Sequence, residues 1–250
     1  MKTIAIVNQK GGVAKSTTAH AIGAALAKSG RLVLLIDLDA QGNLTYTTGA
    51  TPNGGARDML TGRKTAAQAT QLLAGDMDII ASGAGLSMAD LDIKGERKAY
   101  RLRDALRGLK YDAAIIDTPP ALGVLTVNAI TAADALIVPA QADAYSVQGI
   151  YQLGRTLDAI RSGAGWKVSF LGVLPCRYRN TRAQRAFLAA LNKAAEAVGG
   201  VPLETRVREC SAIQEAAAMR TTIFDYAPKS NGAADYAAAA AEIIERIWNE

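Results

Sequence analysis

Two lysines, Lys10 and Lys15, frame the segment Gln9-Lys10-Gly11-Gly12-Val13-Ala14-Lys15-Ser16-Thr17, and the chemistry of that segment is anion binding. A glycine-bearing turn that leads from a buried strand into a helix gathers backbone N–H groups with no internal partner. The positive end of the helix dipole adds to their pull. Lys15 brings a point charge for the β- and γ-phosphates of a nucleotide, and the Ser16 hydroxyl is an oxygen ligand for Mg2+. Gly11, Gly12, Val13, Ala14 and Thr17 complete the cradle. Three carboxylates follow. Asp37 and Asp39 stand in Leu35-Ile36-Asp37-Leu38-Asp39-Ala40-Gln41-Gly42-Asn43, and Asp117 in Ile115-Ile116-Asp117-Thr118-Pro119-Pro120.

The elements that must position these groups are legible as apolar runs. Thr3–Val7 reads as a buried strand, and Thr18–Ser29 as a helix with Ala21, Ile22, Ala25 and Leu26 on one face. Further strands are expected at 31–36, 76–81, 111–117, 136–138 and 168–174, with 203–207 a candidate for one more. Helical patterns fall at 87–109, 123–132, 146–161 and 183–198, and residues 49–75 read as loop and short helices over a sheet edge. Apolar strands alternating with helices predict an α/β fold: a doubly wound, mostly parallel sheet with helices on both faces. Ligands of such sheets lie at the carboxyl ends of the strands, so Asp37 and Asp117 should converge on the phosphate loop.

The general phosphate-loop pattern G-x-x-x-x-G-K-[ST] requires glycine where this chain has Gln9 and Ala14. K-G-G-V-A-K-S instead resembles the deviant Walker A ATPases of the ParA/MinD group, whose pattern is K-G-G-x-G-K-[ST]. Ala14 departs from it, and because alanine tolerates positive φ poorly, the loop is expected to hold residue 14 in a conformation that alanine accepts. D-x-D-x-Q-G-N and I-I-D-T-P-P are similar to the group's second signature and its Walker B segment. The resemblance implies a single P-loop NTPase domain over residues 1–250, with ATP and Mg2+ as cofactors. It also implies that Lys10 reaches a partner's ATP across the two-fold interface of a homodimer in the ATP state. Asp39 would orient the attacking water, Ser16 would ligate Mg2+, Asp117 would hold it through water, and Asp37 would support its shell. An adenine-contacting segment with a Pro and an Asn is customary after the late strand; the best match, Glu204–Arg208, has neither in place.

Charge speaks to what the ATPase acts on. The chain carries a net charge of +5, and Arg177, Arg179, Arg182 and Arg185 fall in nine residues without an acid, followed by Arg206, Arg208 and Arg220. Such clustering is an electrostatic footprint for a nucleic-acid backbone. ParA-like relatives bind DNA non-specifically as the ATP dimer through this part of the chain, so double-stranded DNA is the expected partner. A centromere-binding or adaptor protein that stimulates hydrolysis is expected as well. A second basic run, Lys94–Lys110, has seven Lys/Arg and two acids and reads as a core helix with a basic outer face.

No apolar stretch is long enough to span a bilayer, and the first strand leaves no room for a signal peptide, so a cytoplasmic, nucleoid-associated protein is expected. Cys176 and Cys210 are too few and too far apart for a disulfide scaffold, and His20, inside the first helix, reads as structural. Two other readings stay open: a MinD-like membrane-cycling ATPase, and a nucleotide-switched scaffold that does not hydrolyse. The first needs a basic amphipathic tail. Residues 235–250 instead set Tyr236, Ile243, Ile244, Ile247 and Trp248 against Glu242, Glu245 and Glu250, which predicts a core-docked helix and no stable membrane anchor.

Overall fold

The computed structural model describes residues 1–164 and 168–248. Its seven strands are β1 (Lys2–Ile6), β2 (Val33–Asp37), β3 (Thr70–Leu72), β4 (Met77–Ile80), β5 (Ala113–Asp117), β6 (Ala135–Ala140) and β7 (Ser169–Pro175). They form one sheet in the order β3-β4-β2-β5-β1-β6-β7. All neighbours are parallel except β3, which pairs antiparallel to β4 at the edge.

Alternation along the strands shows why both faces are covered. Leu34 and Ile36 of β2 point into one apolar cluster, and Val33 and Leu35 into the other. The helices α1 (Lys15–Lys28), α2 (Asn43–Thr47), α3 (Gly55–Thr61), α4 (Ala66–Ala69), α5 (Ala89–Asp92), α6 (Arg101–Ala105), α7 (Val124–Ala132), α8 (Ala144–Ala164), α9 (Arg182–Ala197), α10 (Ser211–Ala218), α11 (Ile223–Tyr226) and α12 (Asn231–Trp248) complete the chain. Residues of α1, α10, α11 and α12 fill one cluster, and residues of α3, α6, α7, α8 and α9 the other. The terminal helix docks as expected, burying Tyr236, Ile243 and Ile247. Among the described residues, no helix is long and apolar enough to cross a membrane.

Three expectations change. The helix expected over 87–109 is broken into α5, α6 and single 3-10 turns at Leu86–Met88 and Lys98–Tyr100. The cause is tertiary: the Asn128 side chain of α7 donates to the Lys98 carbonyl and accepts from the Leu102 N–H, and the Thr131 hydroxyl donates to the Ala99 carbonyl. Gly95, at φ 94°, turns the chain just before. No strand forms at 203–207. That segment runs beside residues 175–178 with one isolated bridge, Tyr178 to Arg208. Within residues 49–75, the edge strand β3 was not anticipated.

At Gly172 the backbone must be glycine. It sits at φ 138° beside an irregularity in the β6–β7 register, and a Cβ there would lie 2.0 Å from the Val201 carbonyl oxygen.

Candidate nucleotide site

The register of the central strands places the acids. Asp37 ends β2 opposite Asp117 at the end of β5, and Asp117 also pairs in register with Ile6, the last residue of β1. Beyond Ile6 the chain enters the phosphate loop, so two carboxylates and the loop share one end of the sheet. The loop is pinned from below by Val13, which is fully buried. Asn8 holds its start, donating to the Pro139 carbonyl at 2.7 Å and accepting from the Lys10 N–H at 2.9 Å. Asn8 was not singled out from the sequence; its only signal there is a polar residue directly after a buried strand.

Gly12 adopts φ 74° and Ala14 φ 72°, ψ 31°. Ala14 is thus left-handed, contrary to the expectation from its side chain, at a cost of roughly 1–2 kcal/mol for a residue with a Cβ. The loop over-determines the residue. Ala14 stands at the N-cap of α1 and offers no side-chain cap, which leaves the first-turn N–H groups of this helix open to an external anion.

Lys15 is buried, and its ammonium donates to the Lys10 carbonyl at 3.1 Å. Burial pulls its pKa down, against the upward pull of Asp117 and then Asp39. Lys10 lies elsewhere: its ammonium pairs with Asp143 at 2.6 Å and stands 5.8 Å from the Tyr145 ring centroid. Asp143 also accepts from the Ser146 N–H at 2.8 Å in the first turn of α8, so one carboxylate links Lys10 to that helix.

Asp37 is fully buried and heavily bonded. Its oxygens accept from the Asp39 N–H at 3.0 Å, the Thr45 N–H at 2.8 Å and the Thr45 hydroxyl at 2.7 Å. Burial nevertheless pushes its pKa up to about 6. Asp39 is buried in the crevice wall and accepts from the Gln41 N–H at 3.0 Å. Ser82, two residues past β4, donates to the Asp39 carbonyl at 2.6 Å, and its N–H donates to the Thr45 hydroxyl.

Asp117 differs from both. It is fully buried, and neither carboxylate oxygen meets hydrogen-bond geometry with any described group, although the Ser16 hydroxyl lies beside it. Burial first, and the nearby Asp37 charge second, drive its pKa well up. A buried carboxylate without partners is costly. Together with the Ser16 hydroxyl, these oxygens form an oxygen donor set that fits a hard divalent cation.

A crevice of about 490 Å³ opens over these groups. Its floor is Gly11, Gly12, Ala14, Lys15, Ser16 and Thr17, with Asp39 on one wall. The far end is closed by Arg177, Val207, Arg208 and Cys210, together with Ile213 and Gln214 of α10. The 204–208 segment therefore reaches the crevice through Val207 and Arg208 only. The contribution of α10 was missed, because a short helix after an irregular segment has no periodicity long enough to read.

Residues 1–169 match the family model described as AAA domain. The chromosome-partitioning ATPase Soj of Thermus thermophilus is 35% identical over 99% of this chain and 97% of its own. The chromosome partitioning protein ParA of Caulobacter vibrioides is 35% identical over 98% of this chain and 95% of its own. The chain belongs to the ParA-type ATPases. Among solved structures, cobyrinic acid a,c-diamide synthase from Mycobacterium smegmatis with bound ADP and magnesium superposes with a TM-score of 0.85. It is 32% identical, covering 100% of this chain and 96% of that one.

For a ParA-type chain, the basic residues singled out above divide into three groups. Arg177 and Arg208 line the rim of the crevice and are exposed. Arg208 is also engaged with Asp235, its Nη2 at 2.6 Å. Arg179 pairs with Glu209, Arg206 lies 5.3 Å from the Tyr178 ring and Arg220 lies 4.6 Å from the Tyr46 ring. Arg182 and Arg185, in the first turn of α9, are exposed and form no ion pair among the described residues.

Proposed function

We propose that this chain, working as one unit over residues 1–250, is a partitioning or positioning ATPase that dimerises around ATP–Mg2+, binds DNA without sequence preference as the dimer, and releases it on hydrolysis. The observation that carries the reading is the buried Asp117 carboxylate, without hydrogen-bond geometry to any described group, beside Ser16 and Lys15 at the mouth of an uncapped helix. Ser16 would hold Mg2+ directly and Asp117 through water, with Asp37 supporting that shell from Thr45. The ion would neutralise phosphate charge during transfer.

The residues of the chain do the rest. Gly11, Gly12, Val13, Ala14, Ser16 and Thr17 present backbone donors, and Lys15 carries positive charge to the phosphates. Asp39, fixed through its carbonyl by Ser82, orients a water. Lys10 would leave Asp143 to reach the nucleotide of a second copy, which ties turnover to dimerisation. The membrane-cycling reading has less support, because the tail spends its apolar side chains on the core.

Asp39→Ala tests the cycle. It should keep ATP, accumulate dimer on size exclusion, stay on random duplex DNA, and lose turnover by about 10²–10⁴-fold. Turnover at the normal rate would move water positioning to another residue. Equal and strong duplex binding with ATP and with ADP would reject the cycling mechanism.

A further inference from the structure

Residues 201–208 do not join the sheet, so their backbone polar groups need partners other than a strand ladder. One face of α12 supplies them. The Arg246 guanidinium donates to the Val201 and Pro202 carbonyls at 2.8 and 2.9 Å. The Glu242 carboxylate accepts from the Glu204 and Thr205 N–H groups at 2.9 and 3.1 Å. Asp235 accepts from the Arg208 N–H at 2.8 Å and grips the same residue's guanidinium, with Nε at 2.9 Å and Nη2 at 2.6 Å. The spacing of 235, 242 and 246 is that of a single helical stripe. Asp235 is buried at the end of that stripe where the segment reaches the crevice through Val207 and Arg208.

Three parts of the crevice meet on the same turns of α12. Asp235 holds the far wall at Arg208. Tyr236, the next residue, is buried, and its hydroxyl lies 3.2 Å from that of Thr18, in α1 directly after the phosphate loop. Gly232 packs against α10: a Cβ there would stand 2.7 Å from Ile213, another residue of the far wall. The helix thus spans from floor to far wall, and the adjacent side chains of Asp235 and Tyr236 fix one against the other. A nucleotide whose phosphates occupy the floor extends its nucleoside toward that wall, where Val207 and Ile213 offer apolar surface.

We infer that Asp235 is a positioning residue for nucleotide binding, which holds the 207–208 wall at a set distance from the phosphate cradle so that the crevice discriminates a nucleoside phosphate from phosphate alone. The inference rests on the reading of the crevice as the nucleotide site. Asp235 does not itself line the crevice and acts through Arg208, while Tyr236 anchors the same turn to α1. The nucleoside does not change during phosphoryl transfer, so contacts with the wall are equal in the ground and transition states. Losing them raises KM and leaves kcat.

The experiment uses the full chain and compares ADP with pyrophosphate, each with Mg2+, by calorimetry, alongside steady-state ATP turnover. Neither probe carries a γ-phosphate, so dimerisation around ATP does not enter the binding values. Asp235→Ala should weaken ADP about tenfold, the worth of one hydrogen bond to a charged group, and raise KM for ATP by about the same factor. Pyrophosphate affinity and kcat should stay within about twofold. Asp235→Asn keeps an oxygen for the Arg208 N–H and should lose about threefold, so the test survives if the alanine variant fails to fold. Unchanged ADP affinity and KM would overturn the inference, and so would an equal loss of ADP and pyrophosphate, which marks a general distortion of the fold. A fall in kcat with KM unchanged would overturn it too. Pyrophosphate bound as tightly as ADP by the unaltered chain would instead reject the far wall as the nucleoside end, and with it the reading beneath.

Discussion

The crevice floor at residues 10–39 and the basic segment at 177–220 both looked like concentrated charge, yet they use it in opposite ways. In the crevice, charges meet without cancelling: Asp117 has no partner in hydrogen-bond geometry among the described residues, and Lys15 donates to a carbonyl rather than to a carboxylate. In the basic segment, partners distant in sequence absorb much of the charge. Asp235 takes Arg208 and Glu209 takes Arg179, while Tyr178 and Tyr46 face Arg206 and Arg220. Unspent charge in a buried cleft marks a ligand site, because the protein bears its desolvation cost with nothing in return until the ligand arrives. A run of like charges at a surface carries no such meaning until its partners are known.

Lys15→Ala should break the crevice side of this contrast most severely. Removing the cation from a buried, preformed cradle is expected to cost about 3 kcal/mol of ATP binding, roughly a hundredfold in Kd. Calorimetry with Mg-ATP measures it, and unchanged affinity would remove the loop assignment.

His20 tests the apolar support beneath. It is buried on α1, and burial lowers its pKa from 6.5 to about 4, with Asp225 opposing. The folded state therefore holds it neutral while the unfolded chain takes up a proton. Its contribution is complete above about pH 6.5 and is lost as pH falls toward about 4, amounting to about 3 kcal/mol. Urea titrations across that window should show a steeper acid loss in the unaltered chain than in His20→Gln. Parallel curves would mean that the ring is protonated in the fold.

The two classes of arginine can be separated directly. Arg182→Glu with Arg185→Glu should weaken duplex binding and flatten its salt dependence by about 1.8, leaving thermal stability intact, since acids suit a helix N-terminus. Arg208→Gln should instead disturb the crevice wall and leave Asp235 without its cation, showing first in nucleotide affinity and melting temperature. The reverse pattern would exchange the two roles.

The smallest effect concerns Ala14→Gly. Relief of left-handed strain, set against the greater chain entropy of glycine and one lost methyl contact, leaves a gain of about 0.5 kcal/mol. That amounts to about 1–2 °C in the melting temperature of a chain this size. A fall in melting temperature would mean that the methyl packing outweighs the strain.

Local readings succeeded where one period dominated. The buried strands around Ile4, Leu35, Ile115 and Ile137 and the helix after Ser16 are short patterns that no other part of the chain contests. Local readings failed where distant groups decided. Asn128 and Thr131 broke a helix that the spacing of Leu102 and Leu106 supported, and the run at Leu203–Val207 was drawn beside Tyr178 instead of joining the sheet. Within the candidate site, the glycine loop and the three acids that share one end of the sheet were legible, because each sits within a few residues of a strand end. Asn8, Ser82 and Gln214 were not, since their roles depend on what stands opposite them in space.

The sequence alone determined the strands of the parallel sheet, the helix after Ser16, a glycine loop suited to phosphate, and the acids near it, because these follow from local apolar periodicity and from chemistry carried by adjacent residues. Tertiary structure decided the rest. Strand register set Asp37 beside Asp117, packing on α1 made His20 neutral, and the return of α12 gave Arg208 a carboxylate. The left-handed turn at Ala14 was imposed by its surroundings against its own preference. In each case the deciding term is burial or pairing between residues far apart in the chain, and those energies exist only once the chain has folded.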